Sequence, residues 1–282
     1  MHVGSDQGMR SRKDLWQYEG SKLAFRGPVC DFSRPYVAVL GGSETFGRHV
    51  ARPYPALLVE RIGMQVANLG VMHAGVSLYS NERGILDTAS QADVTVLQVL
   101  GAQNMSNRLY CVHPRRNDRF LTYSAALRLI YPEVDFAEIN FTGHLVSRLR
   151  QASEERFSIV VEELRWAWVE RMRRVIRFIR NDVHLLWLSE RGIDDGSADA
   201  DSLDPMFVTR SMLDELSPLV SGITEVVQPR PIRARVGVPF ACDEADAPLH
   251  RMVAEALARD LSLSQRPKRK GPDLLVEAHA RG

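Results

Sequence analysis

The sequence predicts a three-layer α/β/α fold around a mainly parallel five-stranded sheet, and two features of the chain lead there. From residue 36 onward, short and almost uniformly apolar runs alternate with amphipathic helical stretches, as strands buried on both faces and joined by helical crossovers do. Several runs also end at glycine or polar turns, where right-handed crossovers place the functional loops of such a sheet.

Residues 1–35 are poorly periodic and read as an arm, in which LAFRGP at 23–28 is a candidate edge strand. YVAVL at 36–40 runs into Gly41-Gly42 and is the first strand. PYPALLVERI at 53–62 sets Leu57, Leu58 and Ile62 on one face, opens with prolines and stops at Gly63, which describes a helix. A second strand follows at 65–70 (QVANLG), a helix at 81–90 and a third, central strand at 94–100 (VTVLQVL). Residues 101–158 are polar, aromatic and irregular, an expected insertion over one end of the sheet. A long amphipathic helix is expected at 160–179, strands at 183–189 and 223–227, and helices at 207–219 and 248–261. The domain thus spans 36–262, and 263–282 form a basic tail expected to be disordered.

Composition excludes several functions. With 45% hydrophobic and 25% charged residues in 282, the chain can bury a sizeable core. A formal charge of +1, from 36 basic and 35 acidic residues, argues against a dedicated nucleic-acid binder. No segment reaches the length of an apolar membrane span, and the first 25 residues lack a signal-peptide core. Three cysteines without CxxC spacing point to reduced thiols and a cytoplasmic location. Dispersed histidines give no metal site, the acidic run at 194–204 lacks calcium-loop spacing, and neither GxxxxGK[ST] nor GxGxxG occurs. No cofactor is expected. Oligomeric state stays open.

The chemistry concentrates in the loops after strands. GGSETFG at 41–47 places Ser43 between glycines directly after a buried strand, where its hydroxyl is exposed and nearby N–H groups can hold an oxyanion. The same GGS also suits any tight surface turn. VLGGSETFG, YPALLVERIG and VANLGVMHAG together resemble the opening of SGNH/GDSL-type hydrolases, a three-layer fold of flavodoxin-like kind. The resemblance covers roughly residues 36–104, and more loosely the closing helix HRMVAEALA at 250–258. It implies that Ser43 is the nucleophile and that the loop 70–75, with Gly75, supplies an oxyanion N–H. GAQN at 101–104 would supply an amide from Gln103 or Asn104, and His250 with Asp246 would act as base and partner. Gly42 stands where the family has aspartate, and the family's DxxH is missing. The motifs GGSETFG, GAQNMSN and HPRRNDRF also resemble a bacterial family of unassigned activity.

Other candidates come from the residues themselves. His73, in the loop after the second strand, is a rival base. Asn107, Arg108, His113, Arg115, Arg116 and Arg119 crowd the start of the insertion, where arginines can clamp an anion or simply pair with neighbours such as Asp118. At this stage two functions stand. One is a serine esterase or acyltransferase acting on an acyl ester, anionic if the arginines clamp it. The other is a catalytically degenerate relative that binds a small molecule or carbohydrate.

Overall fold

The first long strand, β3 (Tyr36–Leu40), is buried along its whole length because it lies between two others. The computed structural model describes residues 15–18, 20–27, 29–48, 50–195, 204–228 and 247–263. β3 pairs with β4 (Gln65–Asn68) on one side and β5 (Val94–Gln98) on the other, and β8 (Asp182–Ser189) and β9 (Gly222–Val227) extend the sheet beyond β5. The order is β4-β3-β5-β8-β9, and every pairing is parallel. The predicted parallel sheet is present, with all five strands where the apolar runs placed them.

Alternation along these strands divides the core in two. Val37, Val39, Val66, Val96, Leu186, Leu188 and Val226 face α2 (Tyr54–Ile62) and the closing α9 (Ala247–Leu263). On the other face, Ala38, Leu40, Ala67, Leu97, Leu185 and Trp187 meet α3 (Val76–Asn81), α4 (Arg83–Gln91) and α7 (Glu154–Phe178). The helix expected at 81–90 is α4, and a separate short helix, α3, precedes it, the two divided at Glu82, whose ψ of 82° is not helical. α7 starts earlier than expected because Ser153 caps it, accepting the Arg156 amide at 3.2 Å.

The stretch read as irregular is ordered. It holds an antiparallel hairpin, β6 (Tyr110–His113) and β7 (Arg116–Tyr123), then α5 (Ala125–Ile130) and α6 (Thr142–Ala152). The helix expected at 207–219 is only α8 (Arg210–Asp214) followed by a 3-10 turn at Ser217–Leu219. In the arm, β1 (Leu15–Trp16) pairs with β2 (Phe25–Arg26), the expected edge segment reduced to two residues. The tail beyond 263 and the acidic run at 196–203 lie outside the described residues. Among the described residues no helix is long and apolar enough to cross a membrane.

Candidate active site

In a parallel sheet of this order, the connections from β3 lead to one side and those from β5 to the other, so a crevice opens between their carboxyl ends. Ser43 stands there, on the first turn of the short helix α1 (Ser43–Phe46). Its turn is fixed from below by Gln98, the last residue of β5. The Gln98 Oε1 accepts the Gly42 amide at 2.9 Å and the Thr45 hydroxyl at 2.7 Å, and its Nε2 donates to Glu44. Thr45 Oγ1 also lies 2.7 Å from the Tyr54 hydroxyl. From β4, Asn68 donates to the Thr45 carbonyl and accepts the Gly70 amide, both at 3.0 Å. Tyr79 donates to the Gly41 and Leu69 carbonyls and accepts the Gly41 amide. Burial pushes both the Tyr54 and Tyr79 phenols up, so they act here as neutral hydrogen-bonding groups. Any side chain at Gly41 would overlap Thr45 and Gln98, which is why the glycine is required.

The opposite wall belongs to the loop after β4 and to the hairpin. Ser43 Oγ accepts the His73 backbone amide at 3.2 Å. That loop bends at His73, whose φ of 59° is left-handed, a conformation costing a non-glycine residue about 1 kcal/mol. The His73 imidazole presents Nδ1 to Asp118 Oδ2 at 3.4 Å. Asp118, on β7, shares that oxygen with Arg116 at 3.1 Å, while its Oδ1 is buried without a hydrogen-bond partner among the described residues. The loop is stitched to the hairpin through Asn117, whose amide N–H reaches the His73 carbonyl at 3.0 Å. Its side-chain oxygen takes the Gly75 and Leu78 amides. Thr142 Oγ1 at the start of α6 completes the wall, 2.5 Å from Asn104 Oδ1 and 3.3 Å from the Asp118 carbonyl.

Several residues singled out from sequence have other occupations. His250 is buried on α9; its Nδ1 accepts the Tyr54 amide at 3.0 Å, capping α2, and its ring stacks on Tyr54. It serves the far side of the turn from His73. Asp246 lies outside the described residues. Gly75 has its N–H taken by Asn117, so the loop amide that reaches Ser43 is that of His73. Gln103 gives its Nε2 to Asp204 at 3.1 Å, and its Oε1 is buried without a hydrogen-bond partner among the described residues. Asn107 builds a local turn, accepting the Leu109 and Tyr110 amides. His113 Nδ1 accepts the Arg115 and Arg116 amides at the hairpin tip.

The arginines are distributed among separate partners. Arg108 pairs with the buried Glu163 and covers Trp166, Arg115 approaches Glu82, and Arg119 lies over Phe141. Arg116 pairs with Asp118, the carboxylate that also faces His73. Among the described residues there is no cluster of metal-binding side chains. Reasoning from sequence missed Gln98 and Asn68. Each was visible as a lone amide in or at the end of an apolar strand, where an amide is costly unless it is bonded.

A family model described as a domain of unknown function, DUF6473, matches residues 1–264. The chain belongs to the DUF6473 family. No curated protein matches it. Among solved structures, the DUF6473 chain is similar to a carbohydrate esterase family 2 enzyme with a carbohydrate-binding domain from Corynascus thermopiles (Myceliophthora fergusii). The identity is 15%, the match covers 86% of this chain and 69% of that one, and the TM-score is 0.43. It is also similar to the lipase Lip_vut3 from a goat rumen metagenome, at 13% identity over 82% and 97% of the two chains and a TM-score of 0.39. Likeness at this level bears on neither activity nor substrate.

Proposed function

We propose that this DUF6473 protein is an SGNH-like serine esterase or acyltransferase, with Ser43 as nucleophile and His73, oriented by Asp118, as general base. The observation that carries the reading is the link between the Ser43 hydroxyl and the residue that holds the His73–Asp118 pair. A serine on a rigid strand-to-helix turn accepts the amide of the same residue whose imidazole faces a carboxylate. The 229–246 segment, where the family resemblance would place a base before the closing helix, contains no histidine. That makes His73 the better claimant.

In this reading Nδ1–H of His73 points to Asp118 and Nε2 faces the substrate. Nε2 takes the proton of Ser43 Oγ as the oxygen bonds to the acyl carbon. The carbonyl pair moves onto its oxygen, which the amides of Ser43 and His73 and the Asn104 side chain stabilise. As the intermediate collapses, the alcohol leaves with the proton from His73 Nε2. Water or an acceptor hydroxyl then removes the acyl group by the reverse sequence. No cofactor is needed. The substrate is an acyl ester on a small molecule or glycan.

A fluorophosphonate probe and a panel of short acyl esters test the assignment. Wild-type protein is expected to be labelled and to turn over at least one ester, and Ser43→Ala to lose both, since removing a nucleophile costs several orders of magnitude. Folded wild-type protein that neither labels nor hydrolyses would favour a binding protein on the same fold. Labelling that persists in Ser43→Ala would place the nucleophile elsewhere.

A further inference from the structure

A second set of titratable side chains lies toward the amino end of β8, away from the Ser43 crevice. His184, the third residue of β8, is 3% exposed, and its Nε2 lies 2.8 Å from Thr224 Oγ1 on β9. Thr224 is fully buried and donates its hydroxyl to Asp260 Oδ2 on α9 at 2.6 Å. A hydroxyl has one proton. Since the carboxylate takes it, Thr224 can only accept from the histidine, which fixes the hydrogen on Nε2. Nδ1 is then a bare lone pair, buried and without a hydrogen-bond partner among the described residues. A side chain built on Gly222 would come within 3.0 Å of His184 Cε1, so the ring edge packs closely on the β9 backbone.

A proton arriving at Nδ1 would therefore find no acceptor. The charges near it are few. α9 contributes Asp260, reached through Thr224, and Arg259, which is 3.1 Å from the other Asp260 oxygen. His184's own strand contributes Asp182, which is exposed. The register neighbours, Val96 on β5 and Gly222 on β9, carry no charge. Burial pushes the His184 imidazole below the ordinary histidine range, and Asp260 only partly opposes it.

α9 also supports the far side of the candidate active site. His250 on it caps α2 at Tyr54, and the Tyr54 hydroxyl contacts Thr45 next to Ser43. Glu255 binds Arg61 of α2 at 2.6 Å.

We propose that the His184–Thr224–Asp260 relay is an acid-sensitive latch that holds α9 on the sheet, and that mild acid frees α9 and with it the support behind the Ser43 turn. The sign follows from linkage. The unfastened chain binds the proton more readily than the fastened one, so the stabilisation is complete above about pH 6.5 and is lost as pH falls below it. The release of α9 does not depend on Ser43 being a nucleophile.

Hydrogen exchange of the α9 amides in the full chain, corrected for the intrinsic rate at each pH, tests the latch. Wild-type protection in α9 is expected to fall between pH 7.5 and 5.5, by up to about tenfold, the limit for uptake of one proton at an ordinary histidine once α9 is free. His184→Gln, which keeps a donor for Thr224 but cannot titrate, is expected to change by less than about twofold. His250, a second buried histidine and one that lies on α9 itself, is present in both proteins and cancels. Equal losses in the two proteins, or no loss in the wild type, would overturn the latch. Should His184→Gln not fold, the ring nitrogens of wild-type His184 can be followed by NMR. The ring is expected to stay neutral with hydrogen on Nε2 while α9 remains protected. Titration at an ordinary histidine pH with α9 still protected would refute the proposal.

Discussion

The two walls of the Ser43 crevice are built differently. On the sheet side, Gln98, Asn68 and Tyr79 are buried; Gln98 and Tyr79 each make two or more bonds to the turn around Ser43, and Asn68 ties Thr45 of that turn to Gly70 of the next loop. On the hairpin side, His73 and Asp118 are 43% and 20% exposed in their side chains, and they meet through one 3.4 Å contact that Arg116 also uses. The turn that carries the nucleophile candidate is held by several buried bonds, whereas the base candidate is partly exposed and held by one contact. Such a division suits a reaction in which one atom must be held still while a proton carrier turns from the attacking oxygen to the leaving group. It also sorts substitutions. Changes on the hairpin wall should act on rate, and changes on the sheet wall should act on stability first.

The hairpin wall gives the largest expected effect. His73→Ala should lower kcat/KM on ester substrates by about 10²-fold to 10⁴-fold, the usual share of a general base. Asp118→Asn should cost less, on the order of 10²-fold, because the imidazole survives but loses its orienting carboxylate. Neither should shift the thermal midpoint much, since both side chains are partly solvated and the pair is weak. Steady-state kinetics beside thermal unfolding separates the two readouts. Loss of folding with unchanged specific activity would reverse the division of labour between the walls.

The sheet wall should behave the other way. Gln98→Leu strips three bonds from the Ser43 turn and leaves the buried Gly42 amide without its acceptor. A buried donor left unpaired costs about 1–3 kcal/mol, which in a chain of this size is a midpoint drop of several degrees. Activity should fall about tenfold in the molecules that remain folded, as Ser43 loses its fixed pose. A variant that keeps both the midpoint and the rate would show that the turn is held by Asn68 and Tyr79 alone.

This contrast also explains what the sequence could reveal. Strands such as Tyr36–Leu40 and Val94–Gln98 were legible because burial on both faces leaves only apolar residues. The hairpin was not, since β7 is mostly exposed and carries Arg116, Asp118 and Arg119 where an alternating strand would show its polar face. The break at Glu82 was hidden because no proline or capping residue announces it. At the site, the glycines around Ser43 advertised a tight turn, and His73 could be named from its loop. Asp118 could not be matched to His73, because that contact joins a β4 loop to a hairpin strand and leaves no mark in local spacing. His250 shows the same limit of local spacing. Its sequence distance from acidic residues resembles a base motif, whereas helix packing decides which way the ring points.

His250 supplies the smallest expected effect and the sharpest check on the comparison between walls. Its Nδ1 satisfies the first free amide of α2, so His250→Ala removes a cap and some packing against Tyr54. Loss of a cap costs about 1 kcal/mol, and Tyr54 keeps its hydroxyl contact with Thr45. The expected outcome is a small drop in midpoint, with ester turnover within about twofold of wild type at pH 7.5. The base reading of His250 demands instead a loss on the order of 10²-fold with stability nearly unchanged. The two outcomes differ in both measurements. A large rate loss in His250→Ala together with near-normal turnover in His73→Ala would move the general base to the buried side of the sheet, and the exposed hairpin wall would then serve substrate binding.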